Sequence, residues 1–72
     1  MIDFLDLRGI RCPLSWAKAK VRLEQLPRGA AIELILDDAK GAQDIPRAAE
    51  AEGYAVLECI RLDGMWRMRI ER

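Results

Sequence analysis

Cys12 stands between Arg11 and Pro13 in the stretch LRGIRCPLSWAK (residues 7–18), with Arg8 a little upstream. A cysteine reacts as its thiolate, so the question is what would stabilise negative charge on this sulfur. Proline suits the first position of a helix, and the residue before a proline is pushed towards the extended conformation that an N-cap adopts. Cys12 is therefore expected to cap a helix that starts at Pro13. A sulfur so placed faces unpaired backbone N–H groups and the positive end of the helix dipole. With Arg11 beside it, its pKa is expected to be depressed. Arg11, Pro13, Leu14 and Ser15 form the set expected to support the thiolate.

The chain contains no histidine, which excludes a Cys-His dyad, a Ser-His-Asp triad and any zinc site that needs imidazole. Its second cysteine, Cys59, lies in a β-type run between Glu58 and Ile60, away from any helix start, and reads as structural. Two thiols alone half-fill a tetrahedral zinc site, so neither metal nor cofactor is expected. The sequence leaves a disulfide between Cys12 and Cys59 open.

At 72 residues the chain fits one domain over residues 1–72, with a 51% hydrophobic fraction that argues for a packed core. Twelve basic residues balance twelve acidic ones, which removes the positive field of a dedicated nucleic-acid binder. No apolar run approaches the ~20 residues of a membrane span. The N-terminus MIDFLDLRG lacks the basic and apolar regions of an export signal, so a cytoplasmic location is expected.

The elements that would carry Cys12 follow from periodicity and punctuation. Alternation from Ile2 to Leu7 predicts a first strand, and residues 13–26 a first helix closed by Pro27 and Gly29. Ala31 to Asp38 alternates again and predicts a second strand, with Asp37 and Asp38 as a strand-end loop. Asp44 is the expected N-cap of a short second helix, with Pro46 in its first turn and Gly53 as its stop. Residues 54–62 and 65–72 read as two strands joined by an Asp63-Gly64 hairpin turn. The order βαβαββ predicts an α/β two-layer sandwich, a four-stranded mixed sheet with both helices on one face.

The first helix carries two apolar stripes. Trp16, Ala19, Leu23 and Leu26 form the larger and are expected in the core, which leaves Leu14, Ala17 and Val21 exposed beside Lys18. That outer stripe, together with Asp38, is the expected partner-docking surface near the thiol.

Taken together, DLRGIRCP before the first helix, LPRGAAIELILDD through the second strand, DIP, EGY and the closing RMRIER resemble the TusA family of small sulfur carriers, also called SirA-like, nearly end to end. The resemblance implies the same βαβαββ fold and a persulfide carried on the cysteine of a Cys-Pro-x-Pro motif, here Cys12 and Pro13. The motif's second proline is replaced by Ser15, which restores an N–H and adds a hydroxyl expected within reach of the sulfur. The family further implies a sulfur donor, either a cysteine desulfurase or a rhodanese-type protein, and an acceptor protein. Its destinations include tRNA thiolation, cofactor sulfuration, sulfur oxidation and thiosulfate uptake through a membrane permease, with no direct nucleic-acid contact and no membrane insertion. Two competing readings are a regulatory or RNA-binding module using Arg61, Arg67, Arg69 and Arg72, and a redox-sensing thiol protein.

Overall fold

A computed structural model describes residues 2–72. The chain forms β1 (Ile2–Asp6), α1 (Leu14–Glu24), β2 (Ala31–Leu36), α2 (Ala39–Ala51), β3 (Ala55–Leu62) and β4 (Met65–Glu71). The sheet order is β1-β2-β4-β3, with β1 and β2 parallel and the other pairs antiparallel. This is the mixed α/β sandwich expected from the sequence.

Period-two alternation decides which side of the sheet is covered. Ile32, Leu34 and Leu36 of β2 are fully buried and pair across the antiparallel ladder with Ile70, Met68 and Trp66 of β4. Ala19 and Leu23 of α1, with Ile45 and Ala49 of α2, close over that face. The other face presents Glu33, Arg67 and Arg69, with ion pairs Arg69–Glu33 and Arg67–Glu58 at 3.3 Å each. Trp16 and Leu26 are partly buried against the core, while Leu14 and Val21 are 56% and 55% exposed. The two stripes of α1 therefore separate as expected.

The β3–β4 turn follows the local chemistry of its sequence. Asp63 and Gly64 have φ of 44° and 79°, the two positive values that a tight type I′ hairpin turn requires and that Gly, Asn and Asp tolerate. α2 departs from expectation. It starts at Ala39, with Asp38 as N-cap accepting from Lys40 N and Gly41 N, so Asp44 lies within the helix and Pro46 inside it. The residues before Asp44 were expected as loop; within the helix, the small size of Gly41 has a tertiary cause. A Cβ there would meet Ser15 Oγ at 3.2 Å and Asp38 Oδ2 at 3.4 Å, so glycine lets the starts of α1 and α2 approach closely. No helix among the described residues is long and apolar enough to cross a membrane.

Candidate functional site

Leu7 N–H donates to Ile35 O at 2.8 Å, which extends the parallel pairing one step past β1 before the chain turns towards α1. Residues 8–13 thus lie beyond the carboxyl ends of β1 and β2, the usual position of functional sites in α/β sheets. The loop is fastened by carboxylates from the end of β2. Gly9 N–H donates to Asp37 Oδ1 at 2.9 Å, and Cys12 N–H to Asp38 Oδ2 at 3.0 Å. Gly9, Arg11, Cys12, Asp37, Asp38 and Lys40 line an open cleft of about 580 Å³.

Asp38 is the joint of this arrangement, because one carboxylate serves the thiol loop and the first turn of α2 together. These N–H donors, that of Cys12 first, hold its pKa below the ordinary carboxylate value against the opposing effect of burial. A folded pKa below the unfolded one means that the stabilisation is present at neutral pH. It is lost as pH falls from about 4 through the depressed value. Asp38→Ala removes cap and clasp together and is expected to lower Tm by roughly 5 °C or more. Asp38→Asn should flatten the decline of Tm below pH 4, and thermal melts across pH 2–7 check both outcomes.

The helix start differs from expectation in a way that matters for the sulfur. The N-cap of α1 is Pro13, at φ −90° and ψ 0°, and the Cys12–Pro13 peptide is cis. Cys12 is therefore not the cap. The hydrogen-bond partner of Sγ among the described residues is Asp44 Oδ2, at 3.7 Å. Burial first, then the charge and hydrogen bond of Asp44 and the charge of Asp38, push the thiol pKa up, with Lys40 opposing. The expected depression is thus overturned. Sequence proximity had put Arg11 beside the sulfur with Arg8 further off, but Arg8 pairs with Asp6 at 2.7 Å and the charge of Arg11 acts on Asp38.

The other members of the expected set divide as follows. Leu14 opens α1 with its side chain exposed, alongside exposed Ala17, Lys18 and Val21. The last three, with Leu5, Arg22 and Gln25, border a second groove of about 460 Å³. Ser15 N–H donates to Arg11 O at 3.1 Å, and its hydroxyl is fully buried against Gly41 with no hydrogen-bond partner among the described residues. Ser15 therefore shapes the helix–helix contact, and its hydroxyl makes no hydrogen bond to the sulfur. Removing an unpaired buried hydroxyl relieves a desolvation cost, so Ser15→Ala is expected to be neutral or to stabilise by roughly 1 kcal/mol in urea denaturation. Cys59 is exposed on β3, and both cysteines are free thiols. Asp44 and Lys40 are the site residues that the sequence reading missed. Their signal was the Asp38 cap, which places both within α2.

The chain matches the family described as Sulfurtransferase TusA over residues 3–72. A candidate sulfur carrier protein of Archaeoglobus fulgidus is 36% identical over 55 residues, covering 76% of this chain but 62% of that protein, less than two thirds of its length. A candidate sulfur carrier protein of Methanocaldococcus jannaschii is 32% identical over 94% of this chain and 91% of its own. The crystal structure of a SirA-like protein from Desulfitobacterium hafniense superposes with a TM-score of 0.83 at 29% identity, covering 99% of this chain and 96% of that one. The family match over residues 3–72 and the fold shared with the SirA-like structure agree, and the chain belongs to the TusA sulfurtransferase family.

Proposed function

We propose that this protein is a cytoplasmic sulfur carrier that accepts sulfane sulfur on Cys12 as a persulfide and passes it to an acceptor protein. The observation that carries the proposal is the position of Cys12, half-buried at an open cleft at the start of α1 in a TusA-family chain. The transfer needs no imidazole. The Cys12 thiolate attacks the outer sulfur of a donor persulfide, the donor's S–S bond breaks, and the donor thiolate leaves with the electron pair. Discharge repeats the exchange with an acceptor thiolate as the attacker. The donor is a cysteine desulfurase or a rhodanese-type protein. The surface offered to such partners is the exposed stripe Leu14, Ala17, Lys18 and Val21, with Asp38 at the cleft.

The arrangement of the arginines weighs against an RNA-binding module. Arg67 and Arg69 pair with Glu58 and Glu33 on the open face of the sheet, and Arg61 lies over the Trp66 ring at 5.7 Å. Arg72 Nη1 donates to the carbonyls of Glu24 and Leu26 at 2.6 and 2.5 Å, satisfying the end of α1. These groups do not form a free basic surface.

The proposal is tested by incubating the reduced protein with a cysteine desulfurase plus cysteine, and separately with thiosulfate plus a rhodanese-type enzyme, followed by intact mass analysis. A gain of one sulfur atom from either donor is expected. No gain from both, or a gain of oxygen alone under mild oxidant, would favour the regulatory or redox-sensing readings.

A further inference from the structure

The acids around the cleft are not equivalent. Asp38 is committed to three backbone N–H groups and Asp37 accepts from Gly9 N, whereas the polar partner of Asp44 among the described residues is the Cys12 sulfur itself. Asp44 sits in the second turn of α2, half-buried, with Oδ2 3.7 Å from Sγ and no ion pair among the described residues. A carboxylate is a poor base for a thiol. It can, however, hold the thiol proton by hydrogen bonding to it and by repelling the anion left behind.

We propose that Asp44 is a guard residue, a positioning group that keeps Cys12 as the neutral thiol in the free protein and yields the thiolate when a cationic side chain of a docking protein pairs with it. The inference rests on the carrier reading for its purpose. A carrier that is inert in solution and becomes reactive on its partners avoids losing sulfur to bystander thiols. The groups facing the sulfur are Asp44 and Lys40 from α2 and Asp38 from the β2–α2 junction. Arg11, in the sulfur's own loop, acts through Asp38. Neutralising Asp44 removes its charge and hydrogen bond from the groups that hold the proton; burial and Asp38 still oppose the anion and Lys40 favours it, so the balance moves towards thiolate. The direction in which Asp44 moves the thiol pKa agrees. Loading and discharge remain the balanced thiol–disulfide exchanges described above, and the proton freed from Cys12 goes to the departing thiolate.

The test uses the full chain with Cys59→Ser, so that a single thiol reacts, and follows the rate of iodoacetamide alkylation from pH 6 to 10. Asp44→Asn is expected to move the half-maximal rate to lower pH. At pH 7 it should speed alkylation about threefold for each unit moved, because the gain in thiolate outweighs the loss of nucleophilicity. Asp44→Glu, which keeps the charge, should retain a midpoint above that of Asp44→Asn. Adding an oligolysine peptide should speed alkylation of the parent and leave Asp44→Asn unchanged, with thermal melts confirming that all variants are folded. A midpoint that stays or rises in Asp44→Asn, or oligolysine acting equally on both or on neither, overturns the proposal. Neither arm reads sulfur transfer, so the guard and the carrier reading fail separately.

Discussion

Cys12→Ser is expected to abolish sulfur loading completely, from any donor, while Cys59→Ser loads as the parent does. A serine hydroxyl is far too weakly acidic to attack a donor persulfide at neutral pH, and no histidine exists anywhere in the chain to activate it. The two cysteines also differ in setting. Cys12 lies at the open cleft beyond the carboxyl ends of β1 and β2, clasped through its own N–H by Asp38. Cys59 is exposed on the edge strand β3, opposite Met68. Because Cys12 is half-buried and exchanges a thiol for a hydroxyl, the fold should survive, and a melting curve close to the parent's would assign the loss to chemistry. Residual loading of Cys12→Ser above a few percent would place the sulfur elsewhere.

Leu34→Ala is expected to remove a large share of the protein's folding stability. Leu34 sits on a central strand, fully buried, opposite Leu5 on β1 and Met68 on β4. Truncating a fully buried leucine costs about 2–5 kcal/mol, the lost transfer free energy plus the cavity left behind. A domain of this size has a total stability of only about 4–11 kcal/mol. The loss removes a large share of that margin because so small a chain has a single core layer between its sheet and two helices. Val21→Ala on the exposed face of α1 is the control and should change stability by no more than about 0.5 kcal/mol. Urea denaturation followed by tryptophan fluorescence reads both. A Leu34→Ala midpoint within error of the parent's would contradict the core assigned to β2.

The strands, the hairpin and the first helix were legible because each is written in a local signal: alternation along β2, the Asp63-Gly64 pair, the two stripes of α1. The start of α2 was not: Asp44 was expected as its N-cap where Asp38 is, and the close approach of Gly41 to Ser15 from α1 is tertiary. The thiol was legible as the candidate site, and its electrostatics were not. Arg11 and Arg8 are neighbours in sequence, so a cationic environment followed from the local string. The hydrogen-bond partners of the sulfur and of the Cys12 N–H come from 32 and 26 residues away, Asp44 and Asp38, and both are acids. Local sequence fixes which residue is reactive more readily than it fixes how reactive that residue is, because a pKa sums over everything the fold brings near.

The central claim is that sulfur rides on Cys12, and peptide-level mapping of the loaded protein tests it most directly. After loading from a cysteine desulfurase and alkylation of all sulfurs, trypsin separates the two cysteines, Cys12 in residues 12–18 and Cys59 in residues 48–61. The account predicts one extra sulfur atom on the 12–18 peptide and none on the other. Extra sulfur confined to residues 48–61, or found on neither peptide, would contradict it.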